Sequence, residues 1–306
     1  MRDFLSIDDL SCEELSGLLD LSISLKADRV VRRDLTGKTI ALIFEKHSTR
    51  TRVSFEVAVY ELGGNPLALS GSEMQLGRGE TIEDTARVLE RYCHAIVLRT
   101  TAQERLERMA AAARIPVVNA LSDLSHPCQA LADLMTLKER WGSLSGRKLG
   151  WVGDGNNVVH SLLLAGAKSA MRLAVSTPVG YEPDPKVVRR AEQIASQTGG
   201  SIEIGHDPLV AADGADALAT DVWASMGQEA EAEARSTVFH PYRLNDALLA
   251  QAQPDALVLH CLPAHRGEEI EASVIDGEHS VVWDEAENRL HTEKALLAWL
   301  VGGKEL

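Results

Sequence analysis

The chain has 306 residues, 45% of them hydrophobic and 25% charged, and carries a formal net charge of −14. That length suits two domains of roughly 150 residues each. The acidic balance argues against nucleic acid or an anionic membrane as partner, because neutralising many phosphates takes a basic face.

Apolar strand-like runs alternate with helix-like runs along almost the whole chain. Strands are expected at 39–44, 66–69, 95–98 and 116–119, then at 149–152, 172–176, 201–204, 215–219, 256–259 and 280–283. Such alternation predicts βαβ units, hence an α/β fold of two doubly wound parallel-sheet domains. Between the fourth and fifth runs lies the helix-like stretch 128–141, followed by Gly142-Ser143-Leu144-Ser145-Gly146. It reads as the bridge between a domain at 1–135 and a second at 136–286. A closing helix over 286–301 follows the tenth run and is expected to return to the first domain, which residues 287–306 complete.

No run of about eighteen apolar residues occurs, and Met1-Arg2-Asp3-Phe4 lacks a signal-peptide core. A cytoplasmic location is expected. Cys12, Cys93, Cys128 and Cys261 form no Cys-x-x-Cys pair, so neither a disulfide framework nor a zinc site is expected.

The polar clusters fall at the carboxyl ends of the expected strands, where open α/β sheets bind ligands. Ser48-Thr49-Arg50-Thr51-Arg52 joins the first strand to a helix-like run over 53–62. Hydroxyls, two guanidinium groups and backbone N–H groups at a helix N-terminus are what a phosphate needs. The plainer alternative is that Ser48 or Thr49 merely caps the helix while the arginines are solvated. Arg99 ends the third strand, and Ser125-His126-Pro127-Cys128-Gln129 follows the fourth. In the second half, Gly153-Asp154-Gly155-Asn156-Asn157, Asp221 to Gly227 and His260-Cys261-Leu262-Pro263 follow the fifth, eighth and ninth.

As a set these motifs resemble the aspartate/ornithine carbamoyltransferase family over essentially the whole chain. Ser-Thr-Arg-Thr-Arg and His-Pro-x-Gln occur across it, and Asp-x-x-x-Ser-Met-Gly with His-Cys-Leu-Pro marks its ornithine branch. The resemblance implies transfer of the carbamoyl group of carbamoyl phosphate to the δ-amine of ornithine, giving citrulline and phosphate. It also implies a homotrimeric unit, or a multiple of it, with no metal or organic cofactor. By the same resemblance Ser48, Thr49, Arg50 and Thr51 hold the phosphate, and Arg52 is grouped with them. Gln75 lies on a loop that in relatives reaches an adjacent subunit's site. Arg99, His126, Pro127 and Gln129 match the residues around the carbamoyl group, Asn157, Asp221, Ser225 and Met226 match the ornithine contacts, and Cys261, Leu262 and Arg289 complete the active site.

The chemistry asks for these residue types independently. Arg50, Arg99 and Arg289 offset the charge that grows on the departing phosphate, and His126 can donate to the carbamoyl oxygen. No enzyme nucleophile is required, because a neutral amine attacks directly once it is oriented. Asp221 suits an α-ammonium and Asn157 a carboxylate. Simpler readings stand beside these: a helix-capping His126, a turn aspartate at Asp221 and a packing cysteine at Cys261.

Gly153-x-Gly155 after a strand also allows a dinucleotide-binding dehydrogenase, although Val158 replaces the third glycine and no ribose-binding acid ends the next strand. A catalytically silent regulatory relative is a second alternative. Putrescine or N-acetylornithine in place of ornithine is a third. The direction of the reaction, arginine synthesis or breakdown, is not legible in the chain.

Overall fold

The computed structural model describes residues 2–46, 48–71, 74, 79–224 and 231–306. The expected contacts Gln75, Ser225 and Met226 lie outside the described residues. The chain divides into two compact units, residues 1–135 with 287–306 and residues 136–286. It passes from one to the other inside helices.

In the first unit a parallel sheet takes the order β2-β1-β3-β4, formed by β1 (Thr39–Phe44), β2 (Asn65–Ser70), β3 (Ala95–Arg99) and β4 (Val117–Leu121). Register is fixed by Thr39 opposite Asn65 and Ile40 opposite Ala95. Ile40, Leu42, Ile96 and Leu98 are fully buried, as expected where helices cover both faces of parallel strands. The helices are α1 (Cys12–Ala27), α2 (Arg50–Glu61), α3 (Ile82–Leu89) and α4 (Gln103–Ala112). Helix α5 (Pro127–Trp141) leaves this unit.

The second unit has a parallel sheet in the order β7-β6-β5-β8-β9, from β5 (Lys148–Val152), β6 (Arg172–Ser176), β7 (Ser201–Gly205), β8 (Ala217–Thr220) and β9 (Leu257–His260). Its helices are α6 (Asn157–Lys168), α7 (Pro185–Thr198), α8 (Pro208–Ala212), α9 (Ala232–Phe239), α10 (Asp246–Leu249) and α11 (Ala272–Ile275). Helix α12 (Val282–Leu300) then brings the chain back to the first unit.

One expected strand is absent. Over 280–283 only Ser280 bridges to Val258, and helix begins at Val282. Asp284 and Glu285 fall in the first turn of α12, where acidic groups favour a helix start. Val282 joins the buried core beside Val258 while Trp283 is exposed, so the valines pack as the start of a helix and not as a tenth strand.

Each sheet reverses its strand order once, between β1 and β3 in the first unit and between β5 and β8 in the second. At such a switch point the loops leaving adjacent strands turn in opposite directions and open a crevice at their carboxyl ends. The polar motifs sit at these two places. No helix among the described residues is long and apolar enough to cross a membrane.

Candidate active site

The first cluster gathers at the β1/β3 switch point. Backbone Glu45 N donates to Arg99 O at 3.0 Å, tying the end of β1 to the end of β3. Helix α2 starts at Arg50, and Thr49, at its N-cap, makes no side-chain cap bond. The capping alternative for Thr49 is therefore not realised. A helix leaves its first N–H groups without intrahelical partners, and the positive end of its dipole favours an anion there.

Arg289 reaches this cluster from the far end of the chain. Its Nη1 donates to Gln129 Oε1 at 2.7 Å and its Nη2 to Thr51 Oγ1 at 2.9 Å. Arg289, Gln129, Thr51, Arg99 and His126 are all buried. One guanidinium thus ties together α2, α5 and α12, elements separated by up to 238 positions. Pro127 opens α5 directly after His126. The His126 pKa lies well below the ordinary imidazole value, first because burial disfavours the cation, then because Arg289, Arg99 and Arg50 add like charge. A neutral imidazole can still donate one hydrogen bond and leave the positive field to the arginines. Arg52 stands apart: it is exposed and pairs with Glu56 at 2.8 Å. Ser48 is half-buried, while Thr49 and Arg50 are exposed.

The second cluster forms at the β5/β8 switch point. Asn156 caps α6, its Oδ1 accepting from Val158 N and Val159 N, while its Nδ2 donates to Asp221 Oδ2 at 2.8 Å. Asp221 Oδ1 accepts from Val222 N at 2.8 Å and from Cys261 Sγ at 3.0 Å. A carboxylate offers about four lone-pair positions, and among the described residues these bonds engage all but one, on Oδ2. Asn157, the first residue of α6, follows Asn156 directly.

Cys261 and Leu262 are held by a buried pair behind them. Leu262 N donates to His260 Nδ1 at 2.9 Å, which leaves the ring proton on Nε2, facing Glu269 Oε1 at 3.1 Å. Leu262 has φ +56, a left-handed conformation that costs a non-glycine residue on the order of 1 kcal/mol. The His260 bond helps fix it. Asp221, His260 and Cys261 each bring one potential ligand atom within 4.8 Å of the others, but both ring nitrogens of His260 are already engaged.

A further ion pair stands beside Asp221. Arg235 Nη1 donates to Asp154 Oδ2 at 3.0 Å and to Trp223 O at 2.9 Å, and its guanidinium lies over Tyr181 at 4.9 Å. Burial pushes the Asp154 pKa up to about 6, against the pull of Arg235 and with a push from Asp221. Asp154 and Asn156 fall in the polar cluster after the fifth strand but receive no role from the sequence, and Arg235 lies outside the motifs. An asparagine directly before a helix is a cap signal, but nothing in the chain pairs residues 154 and 235.

Of the glycines after β5, Gly153 has φ +134 and Gly155 serves packing. A Cβ on Gly155 would come within 2.4 Å of Tyr181 O, Glu182 C and Pro183 N. The dehydrogenase alternative is left without its main support.

Comparison with known proteins matches both units. The carbamoyl-P binding domain of aspartate/ornithine carbamoyltransferase matches residues 2–139, and the Asp/Orn binding domain of that family matches residues 145–300. The chain belongs to the aspartate/ornithine carbamoyltransferase family. It is 59% identical, over 98% of its length and 96% of the relative's, to an ornithine carbamoyltransferase of Parafrankia sp.. It is 54% identical to a protein named ornithine carbamoyltransferase, anabolic, from Pyrococcus furiosus, over 99% of this chain and 97% of that one. The solved ornithine carbamoyltransferase structure from Pyrococcus furiosus superposes with a TM-score of 0.96 at 53% identity, covering 99% of this chain and 98% of that one.

Proposed function

We propose that this chain transfers the carbamoyl group of carbamoyl phosphate to the δ-amine of L-ornithine, yielding citrulline and phosphate, as part of arginine biosynthesis in the cytoplasm. The observation that carries this reading is the convergence of Arg289, Gln129 and Thr51 beside a neutral, buried His126. Carbamoyl phosphate is an anionic mixed anhydride. Arg50, Arg99 and Arg289 oppose the charge that builds on its phosphate as the C–O bond breaks, and the His126 N–H donates to the carbamoyl oxygen as the carbon becomes tetrahedral.

Ornithine belongs to the second cluster. The open acceptor position on Asp221 Oδ2 suits its α-ammonium, and Asn157 suits its carboxylate, which leaves the side chain to carry the δ-amine to the carbamoyl carbon. Attack is direct, with no covalent intermediate on the enzyme, and Cys261, already donating to Asp221, is no nucleophile. We further propose a homotrimer as the working assembly.

The test is citrulline-type product formation from carbamoyl phosphate with ornithine, putrescine, N-acetylornithine and aspartate at equal concentration. Ornithine should be carbamoylated far faster than the other three. Preference for another amine would reassign the acceptor, and no turnover with any would revive the silent-subunit alternative.

A further inference from the structure

Glu293 lies one helical turn beyond Arg289 on α12 and has no exposed surface. Its Oε1 accepts from Arg289 Nη2 at 3.1 Å. Among the described residues its Oε2 and the Arg289 Nε have no hydrogen-bond partner of good geometry, although the Ser54 hydroxyl lies near enough to the carboxyl group to favour its charged form. A buried guanidinium with one donor unspent and a buried carboxyl group with one oxygen unspent form an incompletely satisfied pair, which is costly. Glu293, unlike Arg289, has no role among the motif residues. We propose that Glu293 is a positioning residue for the anion cluster, fixing the Arg289 guanidinium through Nη2 and setting how much of its charge is available to carbamoyl phosphate. This rests on the carbamoyl phosphate reading above.

The surroundings define the charge balance. From α2, Thr51 Oγ1 takes a second bond from Arg289 Nη2, and Ser54 favours the ionised form of Glu293. From α5, Gln129 takes Nη1 while donating its Nε2 to Asp133 Oδ1 at 2.8 Å. The buried Cys128 thiol, also on α5, is pushed up in pKa, first by burial and then by Glu293. His126 feels Arg289, Arg99 and Arg50 and is held neutral. Burial pushes Glu293 itself up to about 7, against the attraction of Arg289. Below that value Glu293 is neutral and Arg289 presents its full charge to the ligand. Above it the carboxylate neutralises Arg289, and the anion loses attraction.

Two variants separate position from charge. Glu293→Gln keeps an acceptor for Nη2 and removes the ionisation, whereas Glu293→Ala removes both. Initial rates at saturating ornithine, measured from about pH 6 to 8.5, give the carbamoyl phosphate KM of each protein, and the ionisation of the ligand itself is common to all. Glu293→Ala should raise that KM about tenfold while the ornithine KM stays within about twofold. Glu293→Gln should match the unaltered protein near pH 6 and bind carbamoyl phosphate more tightly than it above pH 7. Parallel KM profiles for Glu293→Gln and the unaltered protein would overturn the charge role, and an unchanged KM in Glu293→Ala the positioning role. Should Glu293→Ala not fold, the comparison with Glu293→Gln decides alone. Should none of the proteins make citrulline, the proposed activity fails separately, and calorimetry with inorganic phosphate over the same pH range reads the same two outcomes.

Discussion

Cys261 Sγ donates a 3.0 Å hydrogen bond to Oδ1 of Asp221, so the thiol of one motif orients the carboxylate of another. With Val222 N on the same oxygen and Asn156 Nδ2 on Oδ2, the carboxylate cannot rotate without breaking bonds. Its remaining lone pair therefore points in a fixed direction. That rigidity is what a site needs to steer a flexible diamine by its far end.

Acceptor choice follows. Putrescine has no α-ammonium and no α-carboxylate, so it leaves the anchoring groups unpaired, and such vacancies weigh heavily on discrimination. Asp221→Ala should lower kcat/KM for ornithine by roughly a hundredfold, the worth of a charged hydrogen bond, while changing that for putrescine by much less. Equal losses with both amines would mean that Asp221 acts on the reacting amine rather than on the α-ammonium.

Gly155 is a structural requirement with no cofactor behind it. Three backbone atoms stand 2.4 Å from where its Cβ would be, and backbone cannot yield as a side-chain tip can. Gly155→Ala should lower the melting temperature by on the order of 10 °C, read by differential scanning fluorimetry. A near-normal melting temperature would show that the 181–183 turn gives way freely.

Arg235 should matter more at high pH than at low. The Asp154 carboxyl, pushed up to about 6 by burial, binds its proton more tightly in the folded chain than in the unfolded one. Its contribution to stability is thus full below the unfolded value near 3.8 and falls as pH rises through 6. Removing Arg235 raises the folded pKa further and extends that fall upward. Arg235→Leu should cost about 3 kcal/mol at pH 7.5 and clearly less at pH 5, where Asp154 takes a proton. Urea unfolding at the two pH values measures the difference, and equal losses would mean that the pair contributes only through shape.

The central strands were legible because parallel strands covered on both faces are apolar along their length, as residues 40–44 are, whereas β7 shows the alternation of a half-exposed strand. The run at 280–283 misled because buried valines read alike in a strand and at a helix start: it makes one bridge to Val258 of β9 before Asp284 and Glu285 turn it into helix. Asn157 was easier to read than Asn156 because the family resemblance matches it to an ornithine contact, yet Asn156 is the residue that caps α6 and holds Asp221. Arg235 and Asp154, 81 positions apart, and Glu293, behind Arg289, carry no local signal. Their significance lies in burial and distance, and neither is written in spacing. The pairing of Arg52 with Glu56 is likewise ordinary helix-surface chemistry, invisible until the face of α2 is known.

The most direct test of the central claim is the carbamoyl phosphate dependence of citrulline formation by Arg289→Ala beside the unaltered protein, with circular dichroism to verify the fold. Arg289 bonds to both Gln129 and Thr51, so its loss should remove charge and order from the anion cluster together. The predicted result is a fall in kcat/KM for carbamoyl phosphate of roughly a hundredfold or more with secondary structure preserved. A folded Arg289→Ala that makes citrulline at the normal rate and with the normal carbamoyl phosphate KM would contradict the account.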